Sequence, residues 1–300
     1  QDLPQPTARE AEDIASSQTL RAQVNARLRP WQPQPVVVAQ AQLHQVDVSL
    51  FWPQGPHTLL SGEVHAGPSD GGWNLRADVR NAIPSPWDLR GLPIHQIEAD
   101  VQQQGELWTL NEAQVNLGTG HLTAQGSYDT HTQAMQGHAL LHQVSPAALW
   151  STLDAAPLKG QLTAKTTANA SADAPATVEF AADIAAAKGP ATGRVNRAAA
   201  GSSPLRIDSV QLQGQWKAPV LLLSQLQLQA LQAQVRSKQV EWNNDTLQLR
   251  TNAQLQAPGT QLELQGHIGP DDGAGQIQLR LPSAPQMLAW LQQLPGMENT

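Results

Sequence analysis

The sequence predicts an all-β protein: an elongated, curved antiparallel β-groove (a β-taco) of many short strands with two short helices. Three observations carry this. Apolar and polar residues alternate with period two along most of the chain, as half-buried strands require. Turn-forming residues recur between the alternating stretches. The large aromatics that usually fill a closed sandwich are scarce, with two Phe and one Tyr in 300 residues.

The alternation is clean from Thr19 to Leu28, where Leu20, Ala22, Val24, Ala26 and Leu28 share one face. It recurs at Val46, Val48, Leu50 and Trp52, then over 60–66 and 73–79. Further strands are expected over 97–101, 107–109, 113–117, 122–128, 135–141, 158–164 and 178–184. In the last third Gln becomes the usual polar partner, over 210–216, 226–230, 231–235, 240–242, 247–249, 253–257, 262–268 and 277–281. The reading gives roughly sixteen strands. Asp70-Gly71-Gly72, Gly118-Thr119-Gly120, Asn243-Asn244-Asp245, Pro258-Gly259 and Asp271-Asp272-Gly273 supply turns. Such short connections imply an antiparallel meander.

Two segments break the pattern. Ser145 followed by Pro146 reads as an N-cap and first helical residue, with Leu149, Trp150 and Leu153 on one face. Residues 283–294 resemble it, with Met287, Leu288, Trp290, Leu291 and Leu294 at helical spacing. The expected organisation is a polar linker or loop at 1–18, a first β-groove segment at 19–142, and a short helix with its connection at 143–157. A second groove segment follows at 158–282, with a loose Ala/Gly/Ser-rich stretch at 186–204, and then a short helix at 283–296.

Composition narrows the function classes. Only 14% of residues are charged, the net charge is −7, and Gln occurs 39 times. There is no cationic stripe of the kind a nucleic-acid partner demands. Cysteine is absent, which removes disulfides, thiolate metal sites and a cysteine nucleophile. The longest apolar runs, Val36–Ala39 and Pro219–Leu223, are far shorter than the ~20 residues that span a bilayer as a helix. The chain begins with Gln1 and shows no signal segment, so it reads as a piece of a longer protein whose anchor lies elsewhere.

Catalytic signatures are missing. There is no Gly-x-Ser-x-Gly elbow, Walker loop or dinucleotide fingerprint, and Gly118-Thr119-Gly120 reads as a tight turn. His138 and His142 have helical metal-ligand spacing but sit in a strand pattern without a carboxylate nearby. Asp271 and Asp272 read as turn formers. No enzyme activity, cofactor or metal is expected.

The architecture follows from the pattern. At ~4.8 Å per strand, roughly sixteen strands stack to about 75 Å, a rod with a greasy inner wall rather than a globule. The runs Leu50-Phe51-Trp52-Pro53, Leu60-Ser61-Gly62, 73–82 and Pro86-Trp87-Asp88 resemble the periplasmic region of the TamB family, the AsmA-like, bridge-type carriers. So do 214–221 and 288–296. The resemblance implies an interior segment of an inner-membrane-tethered β-taco in the periplasm of a Gram-negative bacterium. It implies phospholipid transport to, and protein assembly or secretion at, the outer membrane. Phospholipid acyl chains would be its cargo, and outer-membrane protein precursors possible clients. The outer-membrane barrel TamA would be met by a region outside this segment.

On that reading the groove is lined by Leu20, Val24, Val48, Leu75, Val79 and Val115. Leu117, Phe180, Leu212, Leu228, Val235, Leu249 and Leu264 continue it. The outward Gln, Arg and Thr residues solvate a convex face, and Trp73, Trp108, Trp216 and Trp290 anchor sheet edges or helices. The competing expectations are an ordinary dry core, a chaperone-like scaffold that offers strand edges by β-augmentation, and a secreted structural β-repeat protein.

Overall fold

A computed structural model describes residues 21–28, 36–69, 71–167, 176–187, 204–294 and 297. The expected linker at 1–18, Leu20 and most of the 186–204 stretch lie outside these residues. The described chain forms one sixteen-stranded antiparallel sheet whose strands are paired in chain order, and the sheet does not close into a barrel. The strands are β1 (Arg21–Leu28), β2 (Val36–Val46), β3 (Leu60–Ser69), β4 (Gly72–Asn81), β5 (Ile94–Gln104) and β6 (Leu107–Leu117). They continue as β7 (Gly120–Asp129), β8 (Met135–Val144), β9 (Leu158–Thr167), β10 (Thr177–Ala186) and β11 (Ile207–Lys217). The last are β12 (Val220–Ala230), β13 (Ala233–Asn243), β14 (Gln248–Ala257), β15 (Thr260–Ile268) and β16 (Gly273–Arg280). There are two short helices: α1 (Pro146–Leu149) lies between β8 and β9, and α2 (Ala284–Leu291) follows β16. The sheet passes α1 without a break, because β8 pairs directly with β9.

The apparent breaks in the alternation have a common cause. Residues 107–109 and 113–117 belong to one strand, β6, whose pairing with β7 skips from Leu110 to Ala113. β12 skips from Leu223 to Gln225 against β11, and β13 from Ser237 to Gln239 against β14. Each is a bulge: extra residues slip the phase of the sequence but return the following apolar residue to the same face.

One strand expectation fails. Val46–Trp52 is not a strand: β2 ends at Val46, and Val48–Leu50 form a 3-10 turn. Asp47 ends the strand by capping. Its carboxylate accepts the backbone N–H of Ser49 at 3.0 Å and of Thr58 at 3.1 Å. A matching 3-10 turn, Trp87–Leu89, lies between β4 and β5.

In a meander the connections alternate between the two long edges of the sheet. The connections leaving odd-numbered strands are tight wherever they are described, and form what we term the hairpin lip. Gly71 and Gly105 supply the left-handed conformation there, at φ 81° and 57°. The connections leaving even-numbered strands include both 3-10 turns and α1, and α2 joins the same edge after β16; this is the helix lip.

Burial concentrates at the helix lip. Apart from Ala182, the buried apolar residues are Val144, Leu158, Ala233, Ala257 and Trp290, all near it. Trp290 packs with Ala233 and Ala257, and its indole Nε1 donates to the Leu231 carbonyl at 2.9 Å. Neither Ser145 nor Ser283 makes the side-chain cap its position suggests. Buried Thr58 and Asn81 satisfy loop backbone instead. Asn81 Oδ1 accepts the N–H of Leu59 at 3.0 Å, and its Nδ2 donates to the Leu92 carbonyl at 3.1 Å.

One joint occurs twice. Leu43-His44-Gln45-Val46 and Leu141-His142-Gln143-Val144 end β2 and β8, with Gln45 and Gln143 both at φ 52°. Val46 then pairs with Leu60 and Leu43 with Gly62, as Val144 pairs with Leu158 and Leu141 with Gly160. A Cβ on Gly62 would lie 2.7 Å from the Val79 Cα, and one on Gly160 2.7 Å from the Ile184 Cα. Gly62→Ala and Gly160→Ala should each destabilise the protein by about 1–3 kcal/mol. Gly67 has open space at its Cβ position, so Gly67→Ala should stay within about 0.5 kcal/mol. Thermal melts of the three variants test this, and a Gly67 variant as costly as the other two would refute it.

Candidate functional site

Cross-strand register turns the separate apolar positions into continuous rows. The central row starts at Val24, opposite Ala41, then Val64, Ala77, Ala99 and Ala113. It continues through Ala124, Ala139, Leu162, Ala182 and Leu212. Leu226, Ser237, Ala253, Leu264 and Ile277 complete it at β16. One residue from each of the sixteen strands is therefore aligned, and Ser237 is the single polar member. Ser237 sits at the β13 bulge, where its hydroxyl hydrogen-bonds the carbonyls of Gln239 and Asn252 at 2.9 and 2.7 Å.

A second row, toward the helix lip, carries Leu43, Gly62, Val79, Ile97, Val115 and Leu122. Leu141, Gly160, Ile184, Val210 and Leu228 extend it, and Val235, Leu255, Leu262 and Leu279 end it. A third, toward the hairpin lip, includes Leu75, Val101, Leu110, Gly126, Gly137 and Ala164. It passes to Phe180, opposite Gly214, and on to Leu223 and Val240. A Cβ on Gly214 would come within 2.8 Å of Phe180 Cζ, so the glycine makes room for the ring.

Most of the residues expected to line the groove fall on these rows. Val24, Leu212 and Leu264 lie in the central row; Val79, Val115, Leu228 and Val235 lie in the second; Leu75 and Phe180 lie in the third. Leu117 and Leu249 are one step further out. Leu117 pairs with Gly120 at the helix lip, and Leu249 pairs with Trp242 and Ile268 near the hairpin lip. Val48 is a correction: it belongs to the 3-10 turn at the helix lip, off the face altogether. Sequence reading passed over the alanines of the central row, because Ala is a weak hydrophobic signal until register shows five of them consecutive.

The face has no second sheet over it among the described residues, since every strand belongs to the one sheet. From β2 to β15 its row residues are half-buried or buried by one another. At the two ends, Val24 is 70% and Ile277 71% exposed.

The opposite face is polar but not simply convex. A depression of about 900 Å³ runs from β6 to β12 with Gly126, Gly137 and Gly214 in its floor and Gln125, His138, Lys165 and Gln213 among its walls. A second, of about 810 Å³, is lined by Glu63, Arg76, Asp78, Glu98, Asp100 and Glu112. Glycine and alanine backbone exposed between two rows of longer side chains produces these troughs. Within the second, the Asn111 amide and the Arg76 guanidinium hold the Asp100 carboxyl below the usual carboxylate range. Arg76 Nε lies 2.9 Å from Asp100.

The residues weighed for chemistry do not converge. His142 stacks on His121, with ring centroids 4.8 Å apart, and His138 lies in the wall of the larger trough. No group of three or more His, Asp or Glu suited to a metal occurs among the described residues. Asp272 serves the β15–β16 turn, its carbonyl accepting the Gly269 N–H at 2.7 Å. No helix among the described residues is long and apolar enough to cross a membrane. Compared with models of known families, with curated proteins and with solved structures, the chain matches none.

Contacts between successive loops stiffen the helix lip. The His57 N–H donates to the Arg90 carbonyl at 2.9 Å, Leu205 N–H to Thr152 at 3.0 Å, and Ser151 N–H to the Asp88 carboxylate at 3.0 Å. Burial alone would raise the Asp88 carboxyl, but the Ser151 hydroxyl and backbone N–H outweigh it and hold the group below the usual range. A lowered carboxylate contributes stability above its unfolded value of about 3.9 and loses it as pH falls through the folded value. Asp88→Ala should therefore melt below the parent protein at neutral pH, and the gap should close under acid. A gap independent of pH would show that the Asp88 carboxylate charge plays no part.

Proposed function

We propose that this chain is an interior stretch of a periplasmic, TamB-like groove protein that carries phospholipid acyl chains along its apolar face. The observation that supports it best is the continuity of the central row, flanked by the second row and, from β4 to β13, by the third. Neighbouring rows are two residues apart, or about 7 Å, and successive strands about 4.8 Å, so the central row runs for about 70 Å. Acyl contact is worth about 0.8 kcal/mol per buried CH₂. A uniform strip therefore offsets the loss of bilayer contact without any one position binding tightly. Sliding requires that evenness. The Ala-rich first half and the Leu-rich second half keep it apolar except at Ser237 in the central row and Thr251, which follows Val240 in the third. The resemblance of residues 73–82 and Pro86-Trp87-Asp88 to TamB points the same way. On this reading the chain is not an enzyme, and contact with TamA belongs to a region beyond it.

A second reading, strand addition of an outer-membrane protein precursor, has one observation in its favour. All residues of β16 are exposed, and among the described residues it pairs on one side only. An unpaired edge is a template for a further strand.

Val79→Arg and Leu228→Arg test the transport reading, since each puts a charge into the second row without removing a buried partner. Both variants should keep the far-ultraviolet circular dichroism of the parent. Phospholipid retained after incubation with vesicles, measured by mass spectrometry, should fall at least about five-fold, the effect of roughly 1 kcal/mol. Unchanged lipid content in folded variants would overturn the proposal. Loss of cross-linking to an unfolded barrel precursor, with lipid content unchanged, would move the function to strand addition.

A further inference from the structure

We infer that the hairpin lip is where the groove carries lipid head groups, and that it favours phospholipids whose head bears an ammonium over those with a net negative head. The inference rests on the groove reading above and adds a side and a head-group class to it.

A fourth register row lies just outside the row of Leu75 and Phe180, next to the hairpin turns. In it Trp73 faces Gln103, Gln103 faces Trp108, and Trp108 faces Tyr128. Further along, Trp216 faces Leu221 and Leu221 faces Trp242. Trp108 is 39% and Tyr128 42% exposed. Among the described residues the four indole N–H groups of this row have no hydrogen-bond partner, whereas Trp290 at the other lip is buried and bonded to Leu231. Trp52, Trp87 and Trp150 also lie at the helix lip but in its loops, outside the strand rows. Aromatic rings with a free polar edge, lined up beside an apolar strip, suit the boundary between acyl chains and head groups.

Charge selects the head. The hairpin-lip turns carry Glu106, Asp129, Asp245, Asp271 and Asp272, against Lys217 at the end of β11. Asp129 accepts the backbone N–H of Thr132 at 2.7 Å and of His131 at 2.9 Å, which favours its charged form. The helix lip mixes signs, with Asp47, Asp88 and Asp154 among Arg90 and Arg206. An ammonium head is attracted both by these carboxylates and by the faces of the Trp and Tyr rings, whereas a net anionic head is repelled by the carboxylates.

The test incubates the purified chain with vesicles of equal parts phosphatidylethanolamine and phosphatidylglycerol with identical acyl chains, and weighs the two lipids retained. Phosphatidylethanolamine should be enriched about three-fold at low salt, the scale of an exposed cation–π contact, and less so at high salt. The triple variant Glu106→Gln, Asp245→Asn, Asp271→Asn should retain as much total lipid in nearly the vesicle ratio. Trp108→Leu with Trp216→Leu should lower the enrichment while keeping total lipid. Lipid retained at the vesicle ratio by the parent chain, or an enrichment that survives the triple variant, would overturn the head-group assignment and leave the groove standing. Retention of neither lipid would remove the groove and this inference together.

Discussion

Fifteen consecutive antiparallel pairings keep the same face of the chain turned the same way, and the rest of the structure depends on that register. Side chains alternate along a strand with period two, so a slip of one residue at any pairing would exchange the two faces for every strand beyond it. Here the pairing places Val24 of the first strand and Ile277 of the last in one row. The bulges in β6, β12 and β13 do not break this rule. They absorb extra residues so that Ala113, Leu226 and Val240 rejoin the apolar side. The rows, the aromatic edge and the polar troughs are consequences of that alignment.

The abundance of Gln follows from the same geometry. On the polar side, every side chain has directly opposed neighbours on both adjacent strands, and like charges so placed repel. Gln229, Gln234, Gln256 and Gln261 form a run of neutral amides across four strands, for which the register sets no electrostatic cost. Glu63, Asp78 and Glu98 are the counter-example, three carboxylates in one row. There the Gln96 amide donates to both Asp78, at 2.9 Å, and Glu98, at 2.7 Å, and the Gln42 amide reaches Glu63 at 3.3 Å. Charge enters this face where an amide or an Arg is at hand to receive it.

The two long edges are built differently. Loop-to-loop hydrogen bonds, buried Thr58 and Asn81, and the packing of Trp290 tie stretches of the helix lip together. The hairpin lip consists of tight turns, two pairs of which are also joined directly: the Thr130 N–H donates to the Glu106 carbonyl at 2.9 Å and the Asn244 N–H to the Pro219 carbonyl at 3.0 Å. Loop-to-loop hydrogen bonds therefore occur at both lips, and what sets the helix lip apart is burial.

The amino-acid sequence by itself determined the all-β class, the approximate number of strands, the two short helices, and which face of most strands is apolar. Each is a short-range property: alternation, turn residues and a Pro at a helix start are complete within ten or so residues. Leu75, Val79, Val115, Phe180, Leu212, Leu228, Val235 and Leu264 could be singled out on that ground alone. The tertiary structure decided what short windows cannot hold. Val48 left the sheet because Asp47 caps a turn with Thr58, a partner eleven residues away. The split between 107–109 and 113–117 vanished because a bulge is defined only against the opposite strand. Five consecutive alanines, an aromatic edge and unequal lips exist only after register is fixed, because each depends on pairing between residues that no local pattern connects.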